Sequence, residues 1–147
     1  MKPRTTILAV FLLSPITSCT YTSPYRRMGT ADTKSAIVTL SAVEHKPGQR
    51  RAFFDDTRKV IADLPNQSGL LGYSFRFQLI GKKAWTMTAW KDEASRDSFA
   101  ASPVHRTAVK NSRVTARNMR FIGVEVPVNK LPMNWPEALR LLDTPPA

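Results

Sequence analysis

Few residues in this chain have types suited to chemistry, and their spacing narrows what that chemistry is. There are two histidines and one cysteine in 147 residues, none at ligand spacing, so no metal site is expected from protein side chains, and no cofactor is read from the sequence. The acidic pairs Asp55-Asp56 and Asp92-Glu93 are sequence neighbours, one on a helix surface and one at a cap, and do not converge on a single substrate. There is no Gly-rich phosphate loop and no G-x-S-x-G elbow. His105 remains as the one candidate base, because imidazole titrates near neutrality. His45, just ahead of Lys46-Pro47-Gly48, reads as a solvated loop residue.

Charge and the N-terminus say where such a residue would work. Lys and Arg total 22 against 11 Asp and Glu, a formal net charge of +11, but the basic residues are scattered and no nucleic-acid motif accompanies them. A nucleic-acid partner is therefore not expected. Lys2 and Arg4 precede the apolar run Ile7–Leu13, too short to span a bilayer but suited to a signal peptide. Ile16-Thr17-Ser18-Cys19 then resembles a bacterial lipobox, which gives the lone cysteine a role as the lipidated residue. The expected organisation is a lipoprotein-type signal peptide over 1–18, a flexible tether over 19–35 and one domain over 36–147. The expected location is the cell envelope, at the outer membrane facing the periplasm, through a lipid anchor on Cys19. Thr20 after the cysteine resembles the outer-membrane sorting pattern. A secreted or periplasmic form without the anchor is the alternative.

The elements that must position His105 follow from periodicity. Residues 36–43 are β-branched and apolar enough for a strand. Phe53, Phe54, Thr57, Val60, Ile61 and Leu64 recur at helical spacing over 49–64. From Leu71 to Leu79 the alternation is strict, with Tyr73, Phe75 and Phe77 on one face and Ser74, Arg76 and Gln78 on the other. A turn at Gly81-Lys82-Lys83 returns the chain along 84–90 as a hairpin. Asp92 caps a helix to about Ala101, Ser102-Pro103 starts a second one to about Arg113, 118–126 is a last strand, and Asn134 with Glu137 opens a tail helix. The order is β-α-β-β-α-β plus a C-terminal helix, an α+β ferredoxin-like arrangement with two helices on one sheet face. The other face would be left bare, so a homodimer is expected to cover it.

Trp90, Lys91-Asp92-Glu93-Ala94, Phe99 and Ser102-Pro103-Val104-His105 together resemble the central signature of the antibiotic-biosynthesis-monooxygenase-like group, over about residues 36–126. The resemblance implies a dimeric α+β barrel with a pocket between each sheet and its helices. It also implies, for some members, oxidation of quinol-like aromatics by O2 without metal or flavin. Trp90 matches the motif's tryptophan and His105 its histidine. In haem-degrading relatives the iron-ligating histidine falls at Val109, and valine cannot ligate iron, which counts against a haem role.

On that footing His105 is the candidate catalytic base. Trp90 would line the substrate site, Arg76 would orient an anionic ring substituent, and Asn118 would hydrogen-bond a substrate oxygen. The function so read is that of an exported, lipid-anchored protein resembling cofactor-independent monooxygenases, with a small aromatic substrate. The alternative is a non-catalytic envelope protein that binds a small apolar ligand or a protein partner in the same pocket.

Overall fold

A computed structural model describes residues 19–145; the proposed signal peptide lies outside the described residues. One antiparallel sheet organises the chain. Its strands are β1 (Thr20–Thr22), β2 (Arg26–Arg27), β3 (Ser35–His45), β4 (Leu70–Gln78), β5 (Lys83–Trp90) and β6 (Ala116–Pro127). The spatial order is β1-β4-β5-β3-β6, with β2 also on β4. Helices α1 (Arg50–Asp63), α2 (Glu93–Ala100), α3 (Pro103–Thr115) and α4 (Trp135–Asp143) complete it. This is the expected α+β ferredoxin-like order with a C-terminal helix. Among the described residues no helix is long and apolar enough to cross a membrane.

The caps explain where the helices begin. The Asp92 carboxylate accepts from Ser95 N–H at 2.8 Å, and the Ser102 hydroxyl accepts from His105 N–H at 3.3 Å. Pro103, which lacks an N–H, occupies the first turn of α3 at no cost. Asn134 Oδ1 accepts from Glu137 N–H at 2.8 Å to open α4. Gly69 takes φ +77° at the entry to β4, and a Cβ there would collide with the Ser95 side chain, so α2 packs closely over this turn only because the residue is glycine.

Strand alternation divides the sheet into two faces. Ile37, Thr39, Ser41 and Val43 of β3 look towards α1 and α3, as do Tyr73, Phe75 and Phe77 of β4. Leu64, Leu70, Tyr73, Trp90 and Phe99 form a buried cluster on that side. Ala36, Val38 and Leu40 look the other way, together with Met87 and Ala89.

That second face is not bare. Ala138 and Leu142 of α4 are buried against it, and Met133 closes one margin. Trp135 Nε1 donates to the Ser74 hydroxyl at 3.2 Å, pinning the start of α4 over β4. The sequence shows an apolar stripe on α4 but not which surface the stripe meets; the face expected to be bare is covered by the chain itself.

The tether is also more ordered than expected. Thr20–Thr22 and Arg26–Arg27 pair antiparallel with β4. Ser23 is buried between them: its hydroxyl accepts from Phe75 N–H at 2.9 Å, and its carbonyl accepts from the Ser74 hydroxyl at 2.9 Å. The Tyr25 ring lies over Gly72, where a Cβ would clash with it. A polar segment without apolar period carries little sequence signal for such pairing; the free edge of β4 and the missing side chain at Gly72 decide it.

Candidate functional site

A cavity of about 150 Å³ lies between the sheet and helices α1 and α3. Its walls are aromatic. Phe53 and Phe54 come from α1, at 5.2 Å between centroids and edge-to-face, and Phe54 meets Phe77 of β4 at 5.3 Å. Phe75 stacks beside Phe77 at 6.4 Å. The helical spacing of Phe53, Phe54, Thr57 and Ile61 aims that stripe of α1 at the sheet, and the period of two in β4 aims Phe75 and Phe77 back at it.

The floor is different in kind. Thr39 stands directly across from Thr88, and Ser41 from Thr86. Together they make a patch of four hydroxyls on two central strands. The Ser41 and Thr86 hydroxyls bond each other at 2.5 Å, and Thr88 accepts the Trp90 indole N–H at 2.9 Å. The Thr39 hydroxyl is buried with no partner among the described residues. A buried hydroxyl without a partner costs stability, so it marks a place where a ligand atom would be welcome.

His105 borders this cavity from the first turn of α3. It is half-buried, its ring packed on Phe99 at 4.6 Å. Its Nδ1 lies 3.2 Å from the Ala100 carbonyl, which can only accept, so Nδ1 carries the proton and Nε2 keeps its lone pair. Burial holds its pKa below the ordinary 6.5, against a smaller upward pull from the Ala100 carbonyl. A neutral imidazole with Nε2 free is the form that can take a proton at neutral pH.

The other expected site residues are placed differently. Trp90 is fully buried and stacked on Phe99 at 5.0 Å, one layer behind Thr88 and Phe99, which do line the cavity. Arg76 is opposite Trp85, with its guanidinium 5.8 Å from that ring's centroid. Alternation turns its side chain to the face opposite Phe75 and Phe77, yet Arg76 is itself among the residues that border the cavity. Asn118 is exposed near the start of β6, with Nδ2 3.5 Å from Glu44 Oε2. The structure therefore brings His105 and Arg76 to the cavity's lining and leaves Trp90 and Asn118 out of it.

His45 also differs from expectation. It is 4% exposed, the last residue of β3 beyond an irregularity at Glu44, with its ring 6.1 Å from that of Phe53. The hydroxyl floor is not evident from local sequence. Its signal was present as Thr39-Leu40-Ser41 and Thr86-Met87-Thr88, hydroxyls alternating with apolar residues. That these faced the helices rather than water could not be seen without the pairing of β3 and β5.

No family model matches the sequence, and no curated protein matches it. Solved structures do share the fold. A proposed monooxygenase from Fusobacterium nucleatum superposes with TM-score 0.59 at 10% identity, over 66% of this chain and 45% of its own. A second, from Lactobacillus acidophilus, gives 0.56 at 11% identity, over 65% and 47%. A proposed antibiotic biosynthesis monooxygenase from Chloroflexus aurantiacus gives 0.51 at 16%, over 63% and 91%. This chain thus spans less than half the length of the first two. These likenesses show that the chain shares an α+β ferredoxin-like fold with those proteins.

Proposed function

We propose that the domain oxidises a small, neutral, single-ring hydroxyaromatic of the hydroquinone class with O2, binding it in the cavity between α1, α3 and the sheet. The observation that carries this reading is the unpartnered Thr39 hydroxyl on the floor of an aromatic-walled cavity of about 150 Å³. An apolar cavity of that volume holds a ring the size of benzene. The ring would lie among Phe54, Phe75 and Phe77 with one hydroxyl on Thr39. His105, neutral and with Nε2 free, would take a proton from a ring hydroxyl. The resulting anion gives an electron to O2 far more readily than the neutral quinol. One oxygen atom enters the ring, the other leaves as water, and the quinol becomes a hydroxyquinone, so no external reductant is needed.

Export and lipid anchoring at Cys19 belong to the same proposal. They are supported by the Ile16–Cys19 sequence and by the exposed, free state of Cys19 at the start of the fold. A homodimer belongs to it only in a form that leaves α4 in place, since the sheet face that the resemblance would pair with a second copy is already covered.

The test is oxygen uptake by the purified protein with a panel of hydroquinones of one to three rings. Uptake with single-ring quinols, and less with larger ones, is expected. Binding without uptake across the panel would end the oxidase reading and leave a ligand-binding protein.

A further inference from the structure

The strand register brings several chain segments to one end of the domain. The Leu79 N–H donates to the Cys19 carbonyl at 2.7 Å, the His45 N–H to the Lys82 carbonyl at 2.9 Å, and the Lys46 N–H to the Thr115 carbonyl at 2.8 Å. Lys46 Nζ also donates to the Val114 carbonyl at 2.8 Å. The β4–β5 turn, the end of β3, the end of α3 and Cys19 therefore share this end. Its large apolar side chains are turned outward: Ile80 is 77% exposed, Val114 67% and Leu79 48%.

Cations surround them. Lys82, Lys83, Arg113 and Arg117 are exposed there. Arg50 is tied to the turn by bonds to the Gly81 and Gln78 carbonyls at 3.0 and 3.1 Å. Glu44, across from Lys83, is the carboxylate that the strand register brings to the same end. At the other end, Asp63 closes α1 and Asp92, Glu93 and Asp97 cluster around α2. Lys91 pairs with Asp92, and Arg96 with Glu93 and Asp97, so the α2 end is mixed in charge while cations predominate at the end that carries Ile80.

We propose that this end of the domain docks directly on an anionic phospholipid bilayer. Leu79, Ile80 and Val114 enter the boundary between headgroups and acyl chains, and the surrounding cations meet the lipid phosphates. Apolar side chains inside a basic collar are the chemistry of an interfacial contact, in which apolar burial and attraction to anionic lipid add. A second copy is a poor occupant, because a two-fold contact here would set cations against cations. The contact does not require acylation of Cys19, yet it suits it. With β1 starting one residue after Cys19, an acyl chain there would hold this end, and not the α2 end, against the bilayer.

The experiment uses the full-length chain with Cys19→Ser and one new cysteine for a polarity-sensitive fluorophore, either Ile80→Cys or Asn66→Cys. Asn66 is exposed in the turn before β4, at the opposite end. Vesicles contain one part phosphatidylglycerol to two parts phosphatidylcholine, with or without brominated acyl chains. The fluorophore at position 80 should be quenched several-fold by the brominated chains, and the one at position 66 should not. Lys82→Gln with Lys83→Gln should weaken vesicle binding by about five-fold per cation removed, and added salt should do the same. Position 80 unquenched while the chain stays on the vesicles would overturn the docking and leave any N-terminal anchoring standing. Equal quenching at both positions, binding that ignores the phosphatidylglycerol content, or an Ile80→Asp change that dissolves a dimer instead of releasing vesicles would also overturn it.

Discussion

Trp90 donates its indole N–H to the Thr88 hydroxyl at 2.9 Å from a position with no exposed surface, and Thr88 is part of the cavity floor. Trp90 therefore reaches the cavity only through a threonine. Thr88 accepts from Trp90 and its own proton is left to point elsewhere. Trp90→Phe should lose the bond but keep most of the packing, costing about 1 kcal/mol in denaturant unfolding. Trp90→Ala should cost about 3–5 kcal/mol. If Trp90→Phe left both stability and ligand affinity unchanged, the indole bond to Thr88 would have no part in the site.

Thr39→Val gives the sharpest test of the floor. The substitution keeps the shape and removes a buried hydroxyl that has no partner among the described residues. The domain should become more stable, by about 1 kcal/mol, because an unsatisfied polar group is gone. Quinol binding, read by calorimetry, should at the same time weaken by about three- to ten-fold, the worth of one ordinary hydrogen bond. A loss of stability on Thr39→Val would mean that the hydroxyl is already satisfied in the folded protein.

His105 should separate catalysis from folding. His105→Ala should lower kcat by about 10²–10⁴-fold, the usual contribution of a positioned base, with little change in Tm. Because burial lowers its folded pKa below 6.5, the unfolded chain binds the proton more readily. Stability should then be full above about pH 6.5 and fall as pH drops from there through the folded value. That slope should disappear in His105→Ala. Activity should follow the same lowered pKa, persisting somewhat into the acid range, and a kcat profile turning over above 6.5 would contradict the assignment.

The cover over the second sheet face can be removed. Ala138 has no exposed surface, and Leu142 is 3% exposed. Ending the chain before Asn134 should expose Val38, Leu40, Met87 and Ala89 to water, and light scattering should then show association beyond that of the full chain. Leu142→Ala alone should cost about 2–5 kcal/mol. A truncated chain with unchanged mass and Tm would show that α4 is not the cover.

Much of this fold was legible from residue spacing alone. The alternation through Tyr73, Phe75 and Phe77, the stripe of Phe53, Phe54, Val60 and Ile61, and the caps at Asp92, Ser102 and Asn134 are local signals, each written within a turn or two of chain. They set the element order and placed His105 at the start of a helix. Tertiary structure alone decided which surfaces met. It turned Thr39 and Thr86 towards the same cavity, put Trp90 behind Thr88, laid α4 across the face expected to be bare, and drew Thr20–Arg27 onto the edge of β4. Those outcomes depend on register and on contacts between residues distant in sequence. A shift of one residue in strand pairing would send every hydroxyl of the floor to the opposite face. Local propensity cannot carry that information, because the energy that selects it comes from burial across the sheet.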